Sequence, residues 1–324
     1  MAPMADVTDA AFRLVIARRG KPDLFFTEFV STDGLCSRGK ENLLIHLKYH
    51  ETERPVIAQI FGEKPDLFRK TAELIQELGF DGIDINMGCP VKTIVKTGSC
   101  AALIKTPEKA KEIIRATKEG AGNLPVSVKT RIGYNKIILR EWLSHVLEAE
   151  PTAITLHLRT AKEMSLVDAH WELMPEAAEI VKQTNTLLLG NGDVKSRAHG
   201  LELCKSTGID GVMLGRAIYG NPWLFDPERT AESITLQERF DTMIEHAELF
   251  DEYFSGKKHF LMMRKHLRAY ASGFHGAKEM RVAFESVDVL DDVRRVVGEF
   301  RERDVRGELI REARTEPTAQ SSAA

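Results

Sequence analysis

The feature that most constrains this chain is a repeated alternation of short apolar runs with amphipathic segments. The apolar runs are continuous rather than alternating, which is typical of parallel strands buried on both faces. Amphipathic segments of helical period separate them, as in consecutive βα units. The predicted strands are Leu24–Glu28, Val56–Ile60, Gly82–Asn86, Val126–Thr130, Ala153–His157, Thr186–Gly190 and Gly211–Leu214.

The predicted helices between these strands complete a barrel-like pattern. Two of them open with Pro65 and Pro107, and the first helical position tolerates a missing N–H. The six predicted helices are Ala10–Arg18, Pro65–Leu78, Pro107–Glu119, Ile138–Ala149, Glu172–Gln183 and Ser196–Ser206. We interpret Ala2–Met4 as the last residues of a further first strand, truncated at the N-terminus. Eight βα units predict an α/β TIM barrel over residues 1–228. Periodicity alone leaves a doubly wound sheet open.

The strand pattern stops after Asp226-Pro227, which predicts a second, all-helical domain over residues 232–312. Its expected helices are Leu236–Phe254, Lys258–Ser272, Ala277–Ser286 and Val289–Arg303. Residues 313–324 are rich in Thr, Pro, Ser and Ala, and we expect them to be disordered.

Composition narrows the class of protein and its compartment. With 43% hydrophobic and 29% charged residues, the 324-residue chain is neither a fibre nor wholly disordered. We expect no membrane association, because no apolar run approaches the roughly 18 residues of a transmembrane helix and no signal peptide is visible. Four cysteines make no disulfide framework, which favours a reducing, cytoplasmic setting. Nothing indicates a protein partner, and we expect a monomer.

Polar or reactive side chains follow nearly every predicted strand. Functional residues of a TIM barrel lie at these carboxyl ends, so we expect the active site there. In chain order the candidates are Pro3, Met4, Ala5, Glu28, Gln59, Asn86, Cys89, Lys129, Arg131, His157, Arg159, Asn191, Gly192, Asp193, Gly215 and Arg216. The glycine-rich turn after the seventh strand and Gly215-Arg216 after the eighth stand where barrels commonly bind phosphate. The alternative is that these glycines only make tight turns.

Cys89 follows the fourth predicted strand between a glycine and a proline. A thiol there can act as a general acid or a nucleophile. We expect no metal, since no CxxC or paired-His spacing accompanies it. Cys100, eleven residues further on, is a packing residue or a second thiol of the site. Lys129 can stabilise an anionic cofactor or intermediate, and His157 binds phosphate or substrate or merely ends its strand.

A series of motifs at these strand ends resembles one family. The motifs, in order, are Ala2-Pro3-Met4-Ala5-Asp6, Thr27-Glu28, Gln59-Ile60-Phe61-Gly62, Asp84-Ile85-Asn86-Met87-Gly88-Cys89-Pro90, Val128-Lys129-Thr130-Arg131, His157-Leu158-Arg159-Thr160, Gly190-Asn191-Gly192-Asp193 and Met213-Leu214-Gly215-Arg216. The chain thus resembles the tRNA-dihydrouridine synthases, flavoenzymes that reduce uridine to dihydrouridine in tRNA. The resemblance runs from Ala2 to about Asn221 and continues more weakly through Met263–His266.

The resemblance implies a role for each candidate. Hydride would pass from reduced FMN to C6 of uracil, and Cys89 would protonate C5. Asn86 and Arg159 would contact the substrate. The residues implied to bind FMN are Pro3, Met4, Ala5, Gln59 and Lys129, with His157, Asn191, Gly192, Asp193, Gly215 and Arg216 at the phosphate. NADPH would be the reductant, without a dedicated Rossmann domain, since no GxGxxG follows a strand.

A tRNA substrate would require base flipping and phosphate contacts. The net charge of −3 conceals a basic stretch, since residues 253–278 hold six Lys and Arg and no Asp or Glu. From it we predict five tRNA-binding residues, namely Lys257, Lys258, Arg264, Lys265 and Arg268. His259, His266 and Tyr270 would add hydrogen-bonding or stacking capacity. The alternative is a merely solvated helix face.

Two positions depart from the family pattern, and two other functions remain open. Leu158 stands where the family often has Gly, and Cys100 where it often has a small residue without a thiol. The first alternative function is an FMN barrel acting on a free pyrimidine, of the dihydroorotate or dihydropyrimidine dehydrogenase type. The second is a catalytically inactive RNA-binding barrel.

Overall fold

A computed structural model describes residues 1–230 and 232–309 of the chain, which form two compact units. The first unit comprises residues 1–218 and 224–227, and the second comprises 219–223 and the described residues from 228 onward. The expected disordered tail, 313–324, lies outside the described residues.

The first unit is built on one parallel sheet of eight strands. They are β1 (Phe25–Phe26), β2 (Val30–Ser31), β3 (Val56–Phe61), β4 (Gly82–Met87), β5 (Val126–Arg131), β6 (Ala153–His157), β7 (Leu187–Asn191) and β8 (Gly211–Met213). The hydrogen-bonded order is β1-β3-β4-β5-β6-β7-β8, and β2 pairs with the end of β3. All seven predicted strands are present, and the TIM-like fold class with a following helical region is confirmed. The short strand β2 was not predicted.

Helices precede and connect the strands of this sheet. They are α1 (Ala10–Arg19), α2 (Thr32–Leu35), α3 (Lys40–Leu43), α4 (Pro65–Glu77), α5 (Lys92–Val95), α6 (Pro107–Ala121), α7 (Leu139–Leu147), α8 (Met174–Val181) and α9 (Arg197–Thr207). Asp9 caps α1 by accepting a hydrogen bond from the Phe12 N–H. Pro65 and Pro107 open α4 and α6, as predicted.

The first residues of the chain do not form the strand that we predicted for Ala2–Met4. They are irregular, because Pro3 has no N–H to donate to a ladder. Single hydrogen bonds nevertheless tie the segment to both edge strands. The Met1 amino group donates to the Leu24 carbonyl at 2.9 Å, and the Ala2 N–H donates to the Leu214 carbonyl at 2.7 Å. The segment thereby lies between the first and last strands.

The second unit is helical. Its helices are α10 (Leu236–Phe254), α11 (Met263–Tyr270), α12 (Ala277–Ala283) and α13 (Leu290–Val305). The helix predicted from Lys258 begins later, as a 3-10 turn at Phe260 that leads into α11. Buried aromatic side chains form its core, among them Phe240, Phe250 and Phe284. No helix in the described residues is long and apolar enough to cross a membrane.

Candidate active site

The register of the parallel sheet brings the predicted site residues into one row. Asn86 on β4 pairs with Lys129 on β5, and His157 on β6 pairs with Asn191 on β7. Because all these strands run the same way, their carboxyl ends meet at one edge, and the polar side chains that follow the apolar interiors converge there.

A chain of buried side chains runs under this edge through Asp84, a residue to which we assigned no role from the sequence. Asp84 is fully buried and accepts hydrogen bonds from the Ser127 hydroxyl at 2.6 Å and from the Gln59 Nε2 at 2.7 Å. The Gln59 Oε1 accepts from the Asn86 Nδ2 at 3.0 Å. Burial raises the pKa of Asp84 to about 6. Asp84 alternates with apolar residues along β4, and this pattern in the sequence indicated that its side chain faces the barrel interior.

The orientation of this chain is fixed at one end by the backbone. The Asn86 Oδ1 accepts from the N–H groups of Gly88 and Cys89, at 3.1 and 3.0 Å. Its Nδ2 must therefore point towards Gln59, whose own amide then donates to Asp84. Asn86 thus holds the loop that carries Cys89, and both ends of the Gln59 amide contact protein groups.

Cys89 and Cys100 form a thiol pair. Cys89 is half-buried and Cys100 is buried, and the Ala101 N–H donates to the Cys89 carbonyl at 3.3 Å. The Cys100 thiol donates to the Cys89 sulfur, and this hydrogen bond is the main reason why the pKa of Cys89 lies below its usual range. The Val91 N–H, Arg131 and Lys129 act in the same direction. Burial and the same pairing raise the pKa of Cys100. Cys100 therefore stabilises the thiolate of Cys89.

Arg131, at the end of β5, connects two loops of the site. Its Nε donates to the Gly88 carbonyl at 2.7 Å, next to Cys89. Its Nη1 donates to the carbonyls of Thr160 and Met164, at 3.0 and 3.1 Å. The sequence motif contained Arg131, but we assigned it no role. The side chain is buried, so it fixes both loops and adds positive charge beside the thiol.

Lys129 is a half-buried cation in the centre of the row. Its Nζ donates to the Asn191 Oδ1 at 3.3 Å, and no other partner among the described residues has been identified. Burial, reinforced by the charge of Arg131, lowers the pKa of Lys129 to about 8, against the opposing effect of Asp84. An ammonium with three donors and one protein partner is suited to contact an anionic ligand.

Positive charges from the ends of β5, β6 and β8 surround His157. Burial lowers the pKa of His157, and the charges of Lys129, Arg131, Arg159 and Arg216 lower it further. The imidazole is therefore neutral at pH 7. A site with this excess of cations favours an anion.

Asp193 organises two of these cations. Its carboxylate pairs with the buried Arg159 and, at 2.7 Å, with the exposed Arg216. It also accepts from the Ala169 N–H at 3.0 Å. The carboxylate thus positions the guanidinium groups and is not itself suited to contact a phosphate. Arg159, which we expected at the substrate, lies in this cationic cluster and also donates to His157.

Packing also explains the glycines at the end of β7, because a Cβ would not fit there. A Cβ on Gly190 would lie 2.5 Å from the Trp171 ring. Gly192 has φ +128° and leaves no room for a Cβ, which would lie 2.7 Å from the Cβ of Ala169. At Gly215 a Cβ would make only ordinary contacts, at 3.6 Å from Ala2 and 3.9 Å from the sulfur of Met4. The first residues therefore lie beside the turn after β8, where Ala5 is exposed.

Several basic side chains of residues 253–278 already contact other groups of the protein, which the sequence did not indicate. Arg264 pairs with Asp288 at 2.7 Å, and Arg268 lies 3.7 Å from Glu285. The ammonium of Lys258 lies over the Phe254 ring. Lys257 is exposed, and Lys265 is partly exposed. The acidic partners come from beyond residue 278, so a window of sequence did not reveal them.

Two aromatic residues of the same stretch are in the core instead of on the surface. His266 and Tyr270 are buried, and Tyr270 hydrogen-bonds to His246 with 3.1 Å between its hydroxyl and the His246 Nδ1. The expectation that they offer stacking surface was wrong, because α11 turns this face inwards.

The geometry fits a phosphorylated flavin. The cluster of Arg159, Arg216 and neutral His157 suits a phosphate, and Lys129 has donors left for an electron-rich ring edge. No group of three or more metal-binding side chains occurs among the described residues.

Comparison with known proteins gives consistent similarities. A family model described as dihydrouridine synthase matches residues 1–302. The chain is 43% identical to a probable tRNA-dihydrouridine synthase of Staphylococcus aureus (strain MRSA252) and 42% identical to probable tRNA-dihydrouridine synthase 2 of Bacillus subtilis (strain 168), each covering 95% of both chains. A solved histamine dehydrogenase from Rhizobium sp. 4-9 matches with a TM-score of 0.53 at 12% identity, over 75% of this chain and 47% of that one. This last likeness concerns the fold alone.

Proposed function

The chain belongs to the dihydrouridine synthase family of oxidoreductases, and on that basis we propose that it reduces specific uridines of tRNA to dihydrouridine, with FMN as bound cofactor and NADPH as reductant. The observation that carries the proposal is the convergence of a thiol pair and a cationic cluster at one edge of the sheet. A substrate of this kind would place the enzyme in the cytoplasm with tRNA.

The cofactor would lie across the carboxyl ends of the strands. Arg159, Arg216 and His157 would hold its phosphate, with the backbone of Asn191, Gly192 and Gly215. Pro3, Met4, Ala5, Gln59 and Lys129 would contact its ring and ribityl chain. When bound and reduced, FMN supplies the hydride for C6 of uracil. Lys129 supplies a fixed positive charge, and Asp193 keeps the two guanidinium groups in place.

Asn86 and Cys89 would act on the uracil. Asn86 is fixed by two backbone N–H groups and by Gln59, so its side chain orients a base without rearranging. The Cys89 Sγ–H would donate its proton to C5, and the electrons of that bond would remain on sulfur. Cys100, Arg131 and Lys129 stabilise this thiolate, which lowers the barrier to the transfer.

The proposed function is tested by loss of the modified base. We expect purified protein to be yellow with flavin, and tRNA from a deletion strain to lack dihydrouridine at one or more positions. Reduction of a free pyrimidine with unchanged tRNA would favour the free-base dehydrogenase. Colourless protein that binds tRNA would favour the inactive barrel.

We expect the charge of Lys129 to set the basic limb of flavin reduction by NADPH. Reduction measured without tRNA should fall as the pH rises through about 8, because Lys129 then loses its proton. Asp84→Asn should move this limb to lower pH, since Asp84 raises the pKa of Lys129. The measurement is the pre-steady-state reduction rate against pH.

The control for Asp84→Asn is Asp81→Asn. This change removes the same charge one residue before β4, where Asp81 pairs with Arg54 at 2.9 Å. An identical shift in both variants, or none in Asp84→Asn, would contradict the assignment of the limb to Lys129.

We expect Lys257 to contribute to tRNA affinity through a phosphate. It is exposed, and no carboxylate partner for it is identified in the described part of the chain. Lys257→Gln should weaken tRNA binding and lower the slope of log Kd against log salt by about 1. Flavin content should not change. Filter binding over a salt series measures this.

The matched control is Lys70→Gln, at an exposed lysine on α4. Charge reversal at Arg264 is a poorer test, because the new carboxylate would face Asp288. Loss of flavin with tRNA affinity intact in Lys257→Gln would contradict the prediction.

A further inference from the structure

An exposed apolar tip projects from the loop that follows β6. Met164, Leu166 and Val167 are 50%, 77% and 41% exposed, and we refer to these three residues as the apolar tip. Single exposed apolar residues are ordinary, but neighbouring ones on one loop mark an interaction site.

The base of this loop is fixed to the active site. Arg131 donates to the carbonyls of Thr160 and Met164, and Arg159 donates to the Val167 carbonyl at 2.6 Å. Glu163 stabilises the loop internally, because its carboxylate accepts a hydrogen bond from the Thr160 N–H at 2.7 Å. The tip is therefore presented on a rigid base.

Arg131 connects the apolar tip to the loop of Cys89, the proposed proton donor. Arg131 also donates to the Gly88 carbonyl, next to Cys89. A nucleotide whose base reaches Cys89 must therefore have its neighbours in the RNA close to this loop.

Met164 has φ +52°, in the left-handed region that residues with side chains seldom adopt, and the hydrogen bond from Arg131 holds it there.

We propose that the apolar tip is a wedge, with Leu166 at its apex, that enters the tRNA base stack where the target uridine has been turned out. The proposal rests on the tRNA substrate proposed above. A flipped base leaves a gap between its neighbours, and apolar side chains are the groups that proteins insert at such steps.

Charge near the apolar tip favours RNA as the occupant. Two buried arginines, Arg131 and Arg159, donate to the Met164 and Val167 carbonyls at the base of the tip; Arg159 is also paired with Asp193, and Lys162 on the same loop is exposed. Of the acidic residues on the loop, Glu163 pairs with His170 at 3.1 Å, and Asp168 is exposed. Apolar side chains beside the charges of Arg131 and Lys162 match the bases and phosphates of one RNA strand.

The test compares folded tRNA with an unstructured RNA. Leu166→Ser should reduce single-turnover dihydrouridine formation on tRNA by about tenfold, because the gap in the stack is no longer filled. On a short single-stranded oligonucleotide with one uridine, the two enzymes should differ by less than about twofold, since no stack has to be opened. Leu201→Ser, at a 47% exposed leucine on α9, should match the wild type on both.

A binding measurement gives a second readout that needs no turnover. With 2-aminopurine beside the target uridine in tRNA, its fluorescence should rise on wild-type binding, because the neighbouring base unstacks. Leu166→Ser should lose most of this rise, although flavin content and unfolding temperature stay unchanged.

The outcomes separate the wedge from the proposed function. Equal rates of wild type and Leu166→Ser on tRNA, an equal loss on both RNAs, or an unchanged fluorescence rise would overturn the wedge alone. Absence of dihydrouridine with the wild-type enzyme would overturn the proposed function and the wedge together.

Discussion

Cys89→Ala should slow dihydrouridine formation in tRNA by about 10²–10⁴-fold, the usual contribution of a general acid. Hydride transfer to C6 would leave negative charge at C5, delocalised onto the C4 carbonyl, and the variant has no thiol at position 89 to supply the proton. Flavin reduction by NADPH does not involve the thiol and should keep its wild-type rate. Single-turnover kinetics of the two half-reactions, measured separately, test this.

Cys100 provides the comparison for that variant. Cys100→Ala leaves the proton donor but removes its hydrogen bond, so it should slow the tRNA half-reaction less. Because the pKa of Cys89 would rise, the decline of this half-reaction at high pH should move to higher pH. A large loss in Cys100→Ala with normal turnover in Cys89→Ala would reverse the two roles.

Arg216→Gln should weaken FMN binding by about 10- to 100-fold, the equivalent of one charge-assisted hydrogen bond to phosphate. Arg216 is 66% exposed, so its removal leaves the core intact. Arg159→Gln should weaken binding at least as much, because Arg159 is buried. Titration of apoprotein with FMN, followed by flavin fluorescence, gives the dissociation constants.

Riboflavin distinguishes a phosphate contact from general damage to the site. It lacks the phosphate, so Arg216→Gln should bind it as the wild type does, and Arg159→Gln, which also removes the hydrogen bond to the Val167 carbonyl, should lose more affinity for FMN than for riboflavin. The matched control is Arg69→Gln, which breaks an exposed pair with Glu73 on α4 and should change neither affinity. Equal losses for FMN and riboflavin would contradict the assignment of these arginines to the phosphate.

Much of the fold and the location of the site could be predicted from local pattern. Continuous apolar runs identify buried parallel strands. The polar residue after each run lies at the carboxyl edge of the sheet, whether the sheet closes into a barrel or is doubly wound. For this reason Lys129, His157 and Asn191 could be grouped without a structure. The irregular course of Ala2–Met4 could not, because it depends on single hydrogen bonds to two distant strands.

Pairings between distant residues were the part that the sequence did not reveal. In the sequence, Asp193 is one more polar residue after a strand, and only its contacts with Arg159 and Arg216 show that it neutralises part of this cationic cluster. Asp288 likewise pairs with Arg264 from outside the basic stretch. Asp84 looked like part of a strand, since its role depends on the side chain of Gln59 above it.

The fixed direction of the hydrogen bonds from Asn86 through Gln59 to Asp84 has a consequence for how these positions vary among related proteins. Two backbone N–H groups compel Asn86 to donate onwards, so Gln59 must accept from Asn86 and donate to Asp84, which accepts only. An aspartate at position 86 would reverse Gln59 and turn its carbonyl towards a second carboxylate, unless position 84 also became a donor. The three positions should therefore change together or not at all, and an isolated substitution at one of them should be rare in an alignment of the family.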